Sequence, residues 1–161
     1  MPGGLVALLD DVSIIARTAA ASIDDIGVAA SKAGSKTAGV VIDEHGRAVV
    51  VRKAGAVVFQ QPGGKPEAGE DAMTALVREI AEEIGVHVDP AQVEPLGVFR
   101  DLAANEPGHT VVADAFRVRV RHADVARGGE IEELRWLTAA DAASTPLANL
   151  SRNHLLRLAW E

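Results

Sequence analysis

Hydrophobic positions change their spacing near residue 36. Before it, Leu5, Leu8, Val12, Ile15, Ala19, Ile26 and Ala29 recur mostly three or four apart, which gathers them on one side of a helix. The pairs Asp10-Asp11 and Asp24-Asp25 fall largely outside that stripe, and Gly27 and Gly34 weaken the helix towards its end. One long helix and a helical hairpin both satisfy the pattern, and packing or homodimerisation is the role such a stripe suits. With three basic and four acidic residues, residues 1–36 offer anionic lipid little attraction.

After residue 36 the pattern is that of short strands. Valine-rich residues 37–43 and 47–53 flank Glu44-His45-Gly46 and predict a hairpin. Residues 56–60 predict a further short strand, ended by the turn sequence Pro62-Gly63-Gly64. Over residues 70–84 the spacing predicts a helix, with Ala72, Ala75, Leu76, Ile80 and Ile84 on its buried face and Gly85 after its last turn. Residues 93–99, 110–120 and 133–137 read as strands, and 150–160 as a closing helix. Such mixing predicts an α/β or α+β sandwich over residues 37–161, preceded by a helical extension over residues 1–36.

Composition narrows the function. A chain of 161 residues, 48% hydrophobic, can fill one ordinary core. Its net charge of -7 has the wrong sign for non-specific attraction to a phosphate backbone, so no nucleic-acid partner is expected. The absence of cysteine removes disulfides, thiolate metal sites and cysteine nucleophiles together, and fits a reducing cytoplasm. No apolar run reaches the roughly 18–20 residues of a membrane span, and the start lacks the basic and apolar regions of a signal peptide. The expectation is a soluble cytoplasmic protein with no membrane partner.

The chemistry concentrates between Gly64 and Val86: Gly64, five residues, Glu70, seven residues, then Arg78-Glu79-Ile80-Ala81-Glu82-Glu83-Ile84-Gly85-Val86. On a helix, Glu79, Glu82 and Glu83 stand at i, i+3 and i+4, so three carboxylates project from one side and can converge. Like charges at this spacing cost a few tenths of a kcal/mol per pair. The helix C-terminus disfavours two of them further, so something cationic must compensate. Hard oxygen donors suit Mg²⁺ or Mn²⁺, and without cysteine or paired histidines on this helix zinc is disfavoured. An isolated E-x-x-E-E is ordinarily a solvated acidic face. Here all the fixed positions are filled together, which chance achieves with a probability on the order of 10⁻⁷ at this composition, and that decides for a site.

The segment resembles the Nudix box, G-x5-E-x7-R-E-U-x-E-E-x-G-U with U aliphatic, and departs from it nowhere. The resemblance to MutT-like Nudix hydrolases covers residues 37–161. It implies an α/β/α sandwich around a mixed β-sheet and metal-dependent hydrolysis of a diphosphate linkage in a nucleoside diphosphate derivative. It further implies Glu79, Glu82 and Glu83 as metal ligands and Glu70 as an outer ligand. Arg78 would orient a carboxylate through a charge-assisted hydrogen bond, and Gly64 and Gly85 would permit the turns around the helix. Glu83 is a candidate general base, with Glu130, Glu132 and Glu133 as the alternatives from a later loop.

For the substrate, Gln61-Pro62-Gly63-Gly64-Lys65 looks more like the MutT-type nucleoside triphosphate pyrophosphohydrolases than the ADP-ribose group, where alanine commonly replaces Gly63. Pro146-Leu147-Ala148-Asn149 is similar to the MutT segment whose asparagine reads a purine edge; Asn149 and Ser151 would equally suit a helix N-cap. Arg52, Lys53, Lys65 and Arg100 are the cations best placed in sequence for phosphates. Phe59 and Trp136 suit the core better than the flanks of a base, and His109 reads as a loop histidine. ADP-ribose or nucleotide-sugar hydrolysis, and a catalytically idle nucleotide-binding module, are the alternative functions. A pure binder would have no need of all four glutamates. The isopentenyl diphosphate isomerases resemble this family in fold but use a cysteine, which this chain lacks.

Residues 5–43 are similar to the start of an uncharacterised family of multi-span bacterial inner-membrane proteins, whose spans are absent here. The junction of two unrelated segments is expected near residues 39–43.

Overall fold

The computed structural model describes residues 35–104 and 106–161. The helical extension expected over residues 1–36, and dimerisation through it, lie outside the described residues but for Ser35 and Lys36. Five strands form one mixed sheet: β1 (Ser35–Ile42), β2 (Ala48–Lys53), β3 (Glu94–Leu102), β4 (Thr110–Arg119) and β5 (Ile131–Leu137), in the order β3-β4-β1-β2-β5. Only the β1–β4 pair is parallel. The hairpin turn is closed by Asp43, whose Oδ1 accepts from the backbone N–H groups of His45 and Arg47, both at 2.9 Å.

Beyond Ile42↔Ala48 the two hairpin strands separate, and the turn segment fills the gap between them. Val51 and Gln60 exchange backbone hydrogen bonds, Gly39 N–H donates to Pro62 O at 2.8 Å, and Thr37 N–H donates to Gly64 O at 2.8 Å. The strand expected over residues 56–60 is therefore reduced to bridges at Phe59 and Gln60. A backbone that must pair with β1 on one side and β2 on the other is committed by its neighbours rather than by its own propensity. Gly63 and Gly64 are thereby fixed beside the start of β1.

Helix α1 (Ala72–Ile84) follows, with the Asp71 side chain accepting from Thr74 N–H at 2.8 Å as its N-cap. Gly85 ends it at φ 74°, a left-handed conformation that glycine adopts without strain. Its last carbonyls are covered by the β4–β5 loop, where Ala126 N–H donates to Ile84 O and Gly128 N–H to Glu83 O, each at 3.0 Å.

Strand alternation divides the core between the two faces of the sheet. Val41, Val49, Val51, Phe116 and Val118 meet Leu76, Ile80 and Ile84 of α1 on one face. Ala38, Val40, Ile42, Ala113 and Ala115 meet Leu150 and Leu155 on the other. The result is an α/β/α sandwich, as expected. A short helix α2 (Ala139–Ala142) follows β5, with Thr138 and Asp141 forming a capping box. In place of the continuous closing helix expected over 150–160, the chain makes a wide turn at Ser151–Leu155 and a tight one at Leu156–Ala159. Burial of Leu150, Ser151, Leu155 and Leu156 against the sheet accounts for the change of pitch. Strand β1 begins at Ser35, so Lys36 is part of the sheet.

Ile80 is fully buried between α1 and the sheet. Ile80→Ala is expected to destabilise the fold by about 3 kcal/mol through lost transfer energy and the cavity left behind. A shift of the urea midpoint corresponding to less than about 1 kcal/mol would show that α1 collapses onto the gap.

Candidate active site

Three backbone features aim the box carboxylates. The α1 spacing puts Glu79, Glu82 and Glu83 on one side, the splayed hairpin brings the Gly63-Gly64 backbone against them, and Lys53 ends β2 on the α1 face. Glu83 is 5% exposed; its Oε1 accepts from Gly63 N–H at 3.2 Å and its Oε2 lies 3.5 Å from Lys53 Nζ. Burial pushes its carboxyl up to about 7, against the opposing pull of Lys53 and the Gly63 N–H. Glu79 rests on Gly64, where a Cβ would stand 2.7 Å from the Glu79 carboxyl carbon.

Arg78 gathers the remaining acids. Its Nε and Nη2 donate to the two oxygens of Glu70 at 2.8 and 2.9 Å, and its Nη1 donates to Glu79 at 3.2 Å and Glu82 at 3.4 Å. A third direction is taken by the Lys65 carbonyl, which accepts from Nη2 at 3.3 Å. The fork holds the Glu70 carboxyl down at about 2, chiefly through its side-chain hydrogen bonds. The cations required by the crowded carboxylates are thus Arg78 and Lys53. Among the described residues no three acids or histidines close on a single point.

The other expected residues divide. Arg52 leaves the opposite face of β2 from Lys53 and pairs with Glu132 at 2.9 Å and Glu133 at 3.3 Å, which occupies a proposed phosphate ligand and two candidate bases at once. Glu133 also pairs with Arg135. Glu130 makes no such pair among the described residues and lines, with Lys53, Gly55 and Gln60, a cavity of about 320 Å³. Asn149 is exposed and donates to Leu102 O at 3.4 Å. Phe59 is core, Trp136 stacks on His122 at 4.8 Å beside the hairpin, and Arg100 is exposed on β3.

Two residues carry no individual role in the sequence reading, Lys36 and Gln61, the second quoted there only as part of the turn. Lys36 donates to Gln60 Oε1 at 3.2 Å, and burial, with Lys53 nearby, lowers its ammonium to about 8. Its signal in the sequence is the single cation in an otherwise small and neutral β1, at the point where helical spacing gives way to strand spacing. Gln61, 2% exposed, accepts the Ser151 hydroxyl on Oε1. Both line a cavity of about 160 Å³ on the sheet face opposite α1, whose walls include Ala38, Val111, Leu150 and Leu155.

Residues 34–158 match the NUDIX domain, and residues 3–57 match a family described as protein of unknown function (DUF808). The MutT-like protein of Streptomyces ambofaciens is 30% identical over 119 residues, covering 74% of this chain and 72% of that protein. A putative 8-oxo-dGTP diphosphatase 2 of Mycobacterium tuberculosis is 38% identical over 84 residues, covering 52% of this chain and 55% of that protein. Among solved structures, the NUDIX domain of Shewanella oneidensis NrtR, complexed with ADP ribose, superposes with a TM-score of 0.64 at 16% identity, covering 88% of this chain and 97% of that one. No helix among the described residues is long and apolar enough to cross a membrane. The intact box, the sandwich that displays it and the match over residues 34–158 agree, and the chain belongs to the Nudix family as a Nudix hydrolase, a pyrophosphohydrolase of the MutT-like kind.

Proposed function

We propose that the chain is a nucleoside triphosphate pyrophosphohydrolase that releases a nucleoside monophosphate and pyrophosphate. The observation that carries this reading is the cavity of about 160 Å³, with apolar walls that suit a base and with Lys36 and Lys65 in its lining, Lys36 within the field of Glu79 and Glu83. A nucleotide seated there places its base among neutral groups and its phosphates beside cations and carboxylates. The likeness to a putative 8-oxo-dGTP diphosphatase supports the same substrate class.

The acids fit a hard divalent ion. All donors are carboxylate oxygens, Glu79 is cradled by Gly64, and Mg²⁺ keeps several waters while taking one or two carboxylates plus substrate phosphates, so a closed protein cage is not needed. Glu79, Glu82 and Glu83 would hold Mg²⁺ or Mn²⁺, with Glu70 as outer ligand. When bound, such an ion neutralises phosphoryl charge and makes water a better nucleophile. The chain's own residues do the rest. Arg78 orients Glu70, Glu79 and Glu82; the Gly63 N–H and Lys53 hold Glu83 in place; Lys36 and Lys65 receive phosphate charge; and Glu83, or Glu130 across Lys53, takes the proton of the attacking water. The expected division into a helical extension over residues 1–36 and a catalytic domain over residues 37–161 is supported by the NUDIX match, which starts at residue 34, with β1 carrying the start of the catalytic part back to Ser35.

A second reading, hydrolysis of ADP-ribose or a nucleotide sugar, is favoured by the further cavity of about 320 Å³ between Lys53 and Glu130, which could seat the second half of such a substrate. Incubation with nucleoside triphosphates, oxidised purine nucleotides, ADP-ribose, nucleotide sugars and dinucleoside polyphosphates, with Mg²⁺ or with EDTA, decides between them. The expected result is metal-dependent release of a nucleoside monophosphate and pyrophosphate. AMP with a sugar phosphate would establish the second reading, and a folded protein inert towards every compound would leave a binding module.

A further inference from the structure

The cavity on the C-terminal side of the sheet contains a hydrogen-bonding group that the fold does not use. Gln61 is 2% exposed, its Oε1 accepts the Ser151 hydroxyl, and its Nε2 has no partner among the described residues. A buried amide N–H without an acceptor is costly to leave unmade. This one lines the cavity with the apolar Ala38, Val111, Leu150 and Leu155, and the acceptors that share the lining, Gln60, Glu106 and Ser151, make no hydrogen bond to it. Its position is rigidly set, because the backbone on either side is hydrogen-bonded to β1 and β2 through Pro62 and Gln60. With the Ser151 proton directed at Oε1, the N–H is the part of the amide left to the cavity. Lys36 and Lys65 line the same cavity and connect to the acids. Lys36 acts through the field it shares with Glu83 and Glu79, and Lys65 through its carbonyl on Arg78. The cavity therefore combines the free amide donor and apolar walls with two lysines and Glu106. Asn149, the residue expected to read a base, is exposed, bonded to Leu102 O, and absent from these walls.

We propose that Gln61 is the base-specificity residue of this enzyme: its Nε2–H donates to a ring nitrogen or carbonyl oxygen on the base of a nucleotide seated in the cavity. The inference rests on the nucleotide reading above and deepens it by assigning the contact that selects the base.

The test needs no turnover. The full chain, in EDTA, is titrated with each of the four ribonucleoside monophosphates while side-chain amide and methyl NMR signals are followed. There are only three glutamines, Gln60, Gln61 and Gln92, so the Gln61 pair is readily assigned. For the tightest-binding nucleotide, the Gln61 amide is expected to shift along the same binding curve as the Val111 and Leu155 methyls. Methyls that move while the Gln61 amide stays still would overturn the proposal, as would a bound nucleotide that leaves the methyls unmoved. Kinetics add an independent readout with Gln61→Met, which keeps the volume and removes the donor. The ratio of kcat/KM between best and worst of the four triphosphates should shrink roughly tenfold, through KM rather than kcat. An equal loss on all four would show a packing role instead. Metal-dependent hydrolysis that persists with Gln61 uninvolved defeats this inference alone, whereas no hydrolysis of any triphosphate defeats the nucleotide reading beneath it.

Discussion

Glu83→Gln is expected to lower turnover by roughly 10³-fold, in the range of losing a positioned acid–base group, while making the metal-free protein more stable at pH 8. Both effects have one origin. The carboxylate is buried beside Glu79, burial outweighs the compensation from Lys53 and the Gly63 N–H, and its folded-state value stands at about 7 against the ordinary 4.5. A carboxyl whose folded value is raised binds its proton more tightly in the native state than in the unfolded chain. Ionised Glu83 therefore subtracts stability progressively as pH rises from about 4.5 to about 7, and the deficit is constant above that. Glutamine removes the charge and keeps an oxygen for the Gly63 N–H. Melting in EDTA should show the variant above the wild type at pH 8 and level with it below pH 4.5. A wild type that melts higher at pH 8 would mean that the Lys53 pair outweighs the burial. Wild-type turnover in Glu83→Gln would remove Glu83 from the chemistry, and a larger loss in Glu130→Gln would transfer the base to the Lys53 cavity.

How far the sequence announced this site depends on which kind of interaction placed each residue. The helix expected over residues 70–84 was legible because its periodicity and its Gly85 stop agree within one segment, and it forms from Ala72 to Ile84 behind the Asp71 cap. The acids followed, since spacing along a helix is also geometry. The turn Pro62-Gly63-Gly64 was legible as a turn but not as a wedge, because its hydrogen bonds go to Thr37 and Gly39 some 25 residues away and leave no local signature. Arg52 and Lys53 are adjacent in sequence and equal in charge, yet the pleat sends them to opposite faces, one to Glu132 and Glu133 and the other to Glu83. Only knowing which face carried α1 could have separated them. The closing segment failed for a related reason: residues 150–160 have helical composition, but the buried contacts of Leu150, Leu155 and Leu156 set the pitch. Gln61 was seen only as part of a turn, because a polar side chain becomes informative once burial and the loss of its partners are known.

Arg78→Lys is the second large effect, and it separates charge from geometry. The variant keeps the cation, so a purely electrostatic account predicts little change. The structure predicts otherwise, because one planar fork reaches both oxygens of Glu70 from Nε and Nη2 and also reaches Glu79 and Glu82 from Nη1. A lysine ammonium is a single point on a flexible stem and cannot hold these directions together. Released from Arg78, Glu70 no longer bridges the turn to the helix, and Glu79 loses the hydrogen bond that fixes its carboxylate over Gly64. Loss of such supporting contacts typically costs roughly 10–100-fold in metal affinity or activity, so the Mg²⁺ midpoint should rise and kcat/KM fall by that factor. Carbon-13 NMR gives a local check, since the Glu70 carboxyl, held at about 2 by the fork, should titrate closer to its ordinary 4.5 in the variant. The sign follows: the Glu70 pair contributes stability above about 4.5, lost in the wild type as pH falls through about 2, and Arg78→Lys forfeits most of it at neutral pH. An unchanged Mg²⁺ midpoint with a shifted Glu70 would show that the fork organises the loop without organising the metal ligands. Unchanged values of both would return Arg78 to a surface cation.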